Sequence, residues 1–498
     1  MKLFVITAIL LFLISACGRN TDLPQDNNDE NAPPPPRLHN TEDDELAVHT
    51  ASIGGIHAPV DMGGRILRIG TLQEDVLSLL LSTSTRGEPD PATSTNYTRD
   101  RMIWDNARRV EREFNFSVVE DIPTGPARLA HQLRTSVAAG DAFADIVLAS
   151  PDLILEAAVN HLIQPLDLID LPESDLLGLQ IYSHFTAEGL GHGWAFCSTT
   201  PNEPAFTLGV NLDLILAEGA PNPVDLYNSG QWTWNAMLDI MRQVTRDTTG
   251  DGVTDQWGLI GVPTVLLWNL VGANDGMFAT DDLTPGIGHQ NTIQALEFLE
   301  TIQQEELIRR NYRWTRDDTG FGYWPQVWSM AEANAAFVSG AHWDAAIINR
   351  QAVFPFEFAI LPLPVGPSNT SGNTGMSGWN RGLVLPHNSP WEGAELLMIM
   401  EEYFSWAGYE IERINDIPTP WFNGIYLDGV NAIRQRDATR AVRQDLALMI
   451  PNIGFGGIAH SLSPPPFPDH PNWQNHTPHE IAEIYYDTIQ EALERFFR

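Results

Sequence analysis

Lysine is almost missing from this chain. Its single occurrence is Lys2, next to the N-terminus, so the rest of the sequence has none to use. That excludes a Walker A loop, whose lysine contacts the nucleotide phosphates, and any chemistry built on a lysine nucleophile or base. Cysteine is nearly as scarce, with Cys17 and Cys197 only. Basic residues number 28 against 64 acidic ones, a formal net charge of −36 that would repel nucleic-acid phosphates. H-E-x-x-H and G-x-S-x-G are both absent, which removes the commonest zinc-protease and serine-hydrolase signatures. Beyond the first few residues no run approaches the roughly 20 apolar residues of a membrane-spanning helix.

What is present begins with the N-terminus. Lys2 is followed by a short apolar run from Leu3 to Ile14 and then by Ser15, Ala16 and Cys17. The run is too short to anchor a protein by crossing a bilayer, but it has the charged start, apolar middle and small-residue end of a secretion signal. Ile14-Ser15-Ala16-Cys17 resembles the bacterial lipobox. That implies cleavage after residue 16, lipid on Cys17, and a location on the cell membrane facing outside the cytoplasm. Residues 17–64, rich in Asp, Glu, Asn and Pro and including Pro33 to Pro36, read as an extended acidic tether. With Cys17 lipidated, Cys197 has no disulfide partner and reads as a small core residue.

More than 430 residues remain, too many for one ordinary core, and two lobes are expected. The body opens with the apolar run RILRIG. Met102, Ile103, Ala107, Val110 and Phe114 then recur at helical spacing from about Arg99. FSVVE, a helix containing Leu129, Leu133 and Val137, a Gly140-Asp141 turn and ADIVLAS follow. This alternation predicts a parallel sheet covered by helices. Further on, Thr233 is a natural N-cap for a helix that buries Met237, Ile240, Met241 and Val244. Near the end, Thr477, Pro478 and Glu480 form a capping box for a helix lined by Ile481, Ile484, Tyr485, Ile489 and Leu493.

Four stretches, in order, carry a resemblance. They are AAGDAFADIVLAS with EAAVNHLIQPLDLI, then GQWTWNAMLDIMRQVTRDTTGDGVTDQWGLIG, then AEANAAFVSGAHWDA, and SGWNRGLVLPHNSPWEGAELLMIMEEYFSWAG. Together they resemble the extracellular solute-binding proteins, family 1, of ABC importers, the maltose-binding-protein-like sugar binders. The resemblance implies an α/β, two-lobed periplasmic-binding-protein-like fold with a hinge and an interlobe ligand cleft. The first lobe would comprise 65–202 and 377–415, the second 203–376 and 416–498. It also implies a sugar or oligosaccharide ligand, ABC permease subunits as partners, a monomer, and no catalysis.

A sugar cleft needs flat aromatic faces beside carboxylates and amides, and the chain carries 15 tryptophans. By resemblance, Trp343, between His342 and Asp344, is the first candidate to stack on a ligand. Trp268 and Trp379 follow, and for all three the alternative is a core position. Asp152 stands at the end of a strand of the parallel sheet, where ligands of such sheets bind. Glu203 falls at the first crossing between lobes, and Gln73 in the first loop. Trp232 and Trp234 read as structural. No cofactor is required, but Asp247, Thr249, Asp251, Val253 and Asp255 repeat the oxygen spacing of a calcium loop around Gly252. Its closing Glu is missing, since Gly258 stands there, so the loop is either a structural calcium site or a plain Asp/Gly turn. The rival function is a secreted glycoside hydrolase, which would also be rich in tryptophan and acids.

Overall fold

The structure is a computed structural model. It describes residues 57–71, 88–90, 97–121, 126–169, 179–184, 191–198, 207–261, 263–280, 282–309, 334–340, 356–377, 382–405, 442–444, 450 and 476–497. The expected signal, Cys17 and most of the expected tether lie outside these residues, as do Gln73, Glu203, His342, Trp343, Asp344 and Trp379.

The N-terminal alternation is a parallel sheet, as expected. Strand β1 (Arg65–Gly70), helix α1 (Tyr97–Glu113), β2 (Phe116–Asp121), α2 (Pro126–Ala139), β3 (Ile146–Ala149) and α3 (Pro151–Val159) follow in order. β1 pairs in parallel with both β2 and β3. Two later strands, β4 (Leu179–His184) and β5 (Gly193–Ser198), complete one side of this sheet as an antiparallel pair.

After β5 the chain builds a second sheet. β6 (Thr207–Asn211) leads through α4 (Leu212–Ala217), α5 (Pro223–Asn228) and α6 (Trp234–Val244) to β7 (Trp257–Ile260). Then come α7 (Pro263–Gly272), α8 (Gln290–Gln304), β8 (Ala335–Gly340) and β9 (Phe358–Pro362). The strand order is β7-β8-β6-β9, with β6 antiparallel to both β8 and β9.

The chain then returns. β10 (Gly375–Ser377) is followed by β11 (Gly382–Val384), which enters the first sheet between β3 and β5, antiparallel to both. α9 (Gly393–Phe404) packs on α1, β12 (Val442–Gln444) pairs in parallel with β10, and α10 (Pro478–Phe497) packs on α8. The first sheet therefore reads β2-β1-β3-β11-β5-β4, and β10 and β12 form a separate two-stranded ribbon.

Strand periodicity explains how the first sheet is held. Ile146 and Leu148 face one apolar core while Val147 and Ala149 face another. The same split divides Phe196 from Ala195 and Leu383 from Val384. The first of these cores receives Ala107, Val110 and Phe114 from the end of α1, at the spacing the sequence showed. Each buried Val or Phe of this kind contributes about 1.5–3 kcal/mol relative to exposure. On the other face α2 buries Leu129 and Leu133. α2 ends at Gly140, whose φ of 71° is the left-handed conformation that glycine adopts without strain.

The helix signals further along also hold. The Thr233 hydroxyl accepts from the Ala236 N–H, and Met237, Ile240, Met241 and Val244 are buried. Trp232 and Trp234 are core residues: Trp232 Nε1 donates to the Pro362 carbonyl, and Trp234 stacks on Phe298 at 4.7 Å. At α10 the Glu480 carboxylate accepts from the Thr477 N–H while the Thr477 hydroxyl accepts from the Glu480 N–H. One expectation fails there. Ile484 is 45% exposed, because the buried stripe runs through Ile481, Tyr485, Ile489 and Leu493 and passes beside it.

Candidate functional site

Parallel strands point their carboxyl ends at one edge of the first sheet, and that edge is where ligands of open α/β sheets bind. At the end of β1 stands Thr71, fully buried. At the end of β3 the extended backbone of Ser150 turns directly into α3, with Pro151 at its first position. Pro151 has no N–H to offer, a loss that costs nothing at a helix start. Asp152 follows in the first turn and is exposed. Asp152 thus stands at the predicted edge, accessible and oriented by a short, buried helix whose Leu153, Ile154 and Leu155 are in the core.

Trp268 requires a correction. It is 2% exposed and belongs to the apolar core around the second sheet, within α7. α7 is apolar nearly all round, with Leu266, Leu267, Leu270 and Val271 also buried, so its tryptophan packs inside. The core alternative is the correct one for this residue.

The Asp/Gly loop after α6 closes on itself. Asp247 accepts the N–H groups of Thr249, Gly250 and Gly252, and the Thr249 hydroxyl. The Gly252 N–H is the chief reason its carboxyl is held below the usual carboxylate range. Asp255 accepts from the Thr248 N–H and hydroxyl, and Asp251 from the Val253 N–H. Among the described residues no group of three or more His, Cys, Asp or Glu side chains stands together as metal ligands. The carboxylates of this loop therefore bond its own N–H groups and hydroxyls.

Two polar assemblies were not legible in the sequence. In the first unit, Glu401 and Glu402 of α9 are buried side by side. Glu402 accepts from Arg109 at 2.7 Å and from the His57 N–H at 2.6 Å, and the His57 ring meets Glu401 at 2.6 Å. Burial opposes the Arg109 charge, but the carboxylates of Glu402 and Glu113 outweigh it and hold the guanidinium above its ordinary value. Adjacent to this, Tyr403 donates to Glu111, whose carboxyl burial pushes up. Arg109, Glu111 and Glu113 alternate along α1 and Glu401, Glu402 and Tyr403 are consecutive on α9, a pattern that reads as a solvated face until the two helices are packed together.

The second assembly ties the turn after α7 to the segment before β10. Asn274, wholly buried, donates to the Asn291 carbonyl and to Gln294, and accepts from the Ser368 N–H. Asp275 accepts from the Thr370 N–H and hydroxyl and from the Ser371 N–H and hydroxyl. Partial burial works against the Asp275 charge, and these donors outweigh it, so its carboxyl is held low.

At the level of sequence, no family model matches the chain and no curated protein matches it. Solved structures do. The cyclic α-maltosyl-1,6-maltose binding protein from Arthrobacter globiformis superposes with a TM-score of 0.57 at 10% identity, covering 87% of this chain and 100% of that one. An ABC substrate-binding protein from Listeria monocytogenes, solved with cycloalternan, gives 0.51 at 14%, covering 86% and 99%. UgpB from Mycobacterium tuberculosis, solved with glycerophosphocholine, gives 0.53 at 14%, covering 80% and 97%. The chain has the α/β fold of the extracellular solute-binding proteins of ABC importers, the fold that the four sequence stretches imply. Identities of this size establish the fold and leave the ligand to be argued.

Proposed function

We propose that this protein is a solute-binding component of an ABC importer that captures a carbohydrate, an oligosaccharide in particular, and hands it to a membrane permease without chemical change. The observation that carries this reading is the fold: two sheets exchanged by β5-to-β6 and β10-to-β11 crossings, over nearly the full length of sugar-binding neighbours. A chain crossing repeatedly between two α/β units suits opening and closing around a solute, with ligand stabilising the closed arrangement. Asp152 and Trp343 are the proposed ligand contacts, the first for hydroxyls and the second for a flat sugar face. The net charge of −36 favours an uncharged sugar over an anionic solute such as a phosphodiester. Lipid on Cys17 would hold the protein at the membrane through the acidic tether. A single chain suffices for this role.

The deciding experiment is a thermal-shift screen of neutral oligosaccharides, glycerophosphodiesters and peptides, with product analysis on every hit. A shift without turnover for a neutral sugar supports the proposal. Release of new reducing ends would make the protein a glycoside hydrolase, and shifts with peptides or phosphodiesters alone would replace the ligand class. For a sugar hit, Trp343→Ala should weaken binding about tenfold or more, combining a lost stacking contact with lost apolar burial. Cys17→Ser should release the protein from the membrane fraction.

A further inference from the structure

The return crossing is gripped by the second unit along its length. The Gly366 N–H donates to the Ala273 carbonyl at 2.8 Å, and the Ser368 N–H to Asn274 at 2.8 Å. The Thr370 N–H donates to Asp275 at 2.6 Å and Asn369 to the Ala273 carbonyl at 2.8 Å. The Met376 N–H then donates to Asn269 of α7 at 3.3 Å. Only six positions later Gly382 is already paired with Ala149 in the first sheet.

At the end of this grip two backbones touch with no side chain between them. A methyl group on Gly272, at the C-terminus of α7, would stand 2.7 Å from the Met376 nitrogen and closer still to the Gly375 carbonyl. One on Gly375 would stand 3.2 Å from Asn269 Cγ and closer to its Oδ1. Real Cβ atoms do not approach backbone this closely, so the contact exists only because residue 272 is glycine, while glycine at 375 leaves room for the Asn269 amide. Gly375 and Met376 are also the residues that pair with Val442 and Arg443 of β12. One contact therefore seats two connecting strands on one helix.

We propose that the Gly272–Gly375 contact, with the Asn269–Met376 hydrogen bond beside it, is a positioning seat that sets where the β10–β12 ribbon leaves the second unit, and with it the resting separation of the two lobes. This rests on the two-lobed binding reading above, but it concerns the unliganded protein. Helix α7 is rigid and apolar on nearly every face, so displacement of β10 cannot be absorbed by it. A methyl group on Gly272 meets the backbone of Gly375 and Met376 and must move the ribbon.

The test compares the mature chain with Gly272→Ala and Asn269→Ser, all without ligand, by amide hydrogen exchange and small-angle X-ray scattering. Exchange of the amides at 375–377 and 442–444 should rise about tenfold in each variant, while β1, β2 and β3 keep their protection. The radius of gyration should shift as well. Unchanged exchange at both strands and an unchanged radius overturn the proposal. A uniform rise across β6, β7, β8 and β9 also overturns it, because it would mark a plain packing residue. If Gly272→Ala does not fold, Asn269→Ser decides between the same outcomes, since it removes the hydrogen bond to the Met376 N–H and overpacks nothing. A protein that bound no sugar would still give a clear answer, so failure here and failure of the ligand reading are separable.

Discussion

The two sheet units of this protein share an architecture and are held together by different physics. Around the first sheet, the packing of α9 on α1 encloses charge: Glu402 against Arg109 and His57, Glu401 against the His57 ring, Glu111 against Tyr403 and Arg108. Around the second, the buried polar groups among the described residues are uncharged, such as Asn274, Thr292, Trp232 and Trp234, and Asp275 sits at the rim among hydroxyl and amide donors. Buried ion pairs add little net stability when intact and cost a great deal when one partner is removed, whereas an aromatic and amide core is insensitive to ionisation. The comparison teaches that the first unit should be the one whose integrity depends on charge state.

The largest expected effect follows from that difference. Glu402→Ala leaves the half-buried Arg109 guanidinium with Glu113 as its one carboxylate and strips the His57 N–H of its acceptor, and should cost about 3 kcal/mol in denaturant unfolding. A loss below about 1 kcal/mol would show the cluster to be dispensable and erase the contrast. Next comes Trp232→Phe in the second unit, which trims a buried ring and removes the donor to the Pro362 carbonyl. The expected loss is about 1–3 kcal/mol, unaltered by pH between 5 and 8. Smaller again, Thr477→Ala removes the α10 cap and should cost about 1 kcal/mol.

The smallest effect is in pH dependence, and it has opposite signs in the two units. Burial raises the Asp145 carboxyl of the first unit, against the Arg68 N–H that it accepts. A group raised on folding contributes stability below its unfolded value, about 3.9 for Asp, and that contribution is lost as pH rises through the folded value. Asp275 is depressed, so its contribution is present above about 3.9 and is lost as pH falls through the folded value. Asp145→Asn should therefore flatten the stability curve on the side above pH 4, and Asp275→Asn on the side below it. Melting temperature against pH for the two variants reads this directly, and equal responses would dissolve the distinction.

Particular residues show how far the sequence could be read. Local signals were reliable wherever one helix or strand determines the outcome: the Thr233 cap, the Thr477-Glu480 box, the Gly140 turn and the buried stripe of α6 all depend on neighbours within four positions. Ile484 failed by one position, because a stripe wide enough to include it was narrowed by how α10 rolls on α8. Trp268 failed for a larger reason. An indole has the same composition in a cleft and in a core, and only the packing of α7 separates them. The calcium spacing failed to discriminate in the same way, since the oxygens that would face an ion also reach the loop's own N–H groups.

The sequence by itself determined the class of architecture, the strand–helix alternation from β1 to β3, the caps of α6 and α10, and the exclusion of nucleotide-loop and lysine chemistry. These follow from periodicity, turn residues and the presence or absence of residue types, which are properties of the chain read in one dimension. Only the tertiary structure decided that Glu401 and Glu402 are buried beside Arg109 and His57, that Asn274 and Asp275 clasp a segment nearly 100 residues away, and that Gly272 meets Gly375. Each of these joins residues distant in sequence through distances of a few ångströms, and no local preference encodes which pair of elements will be pressed together.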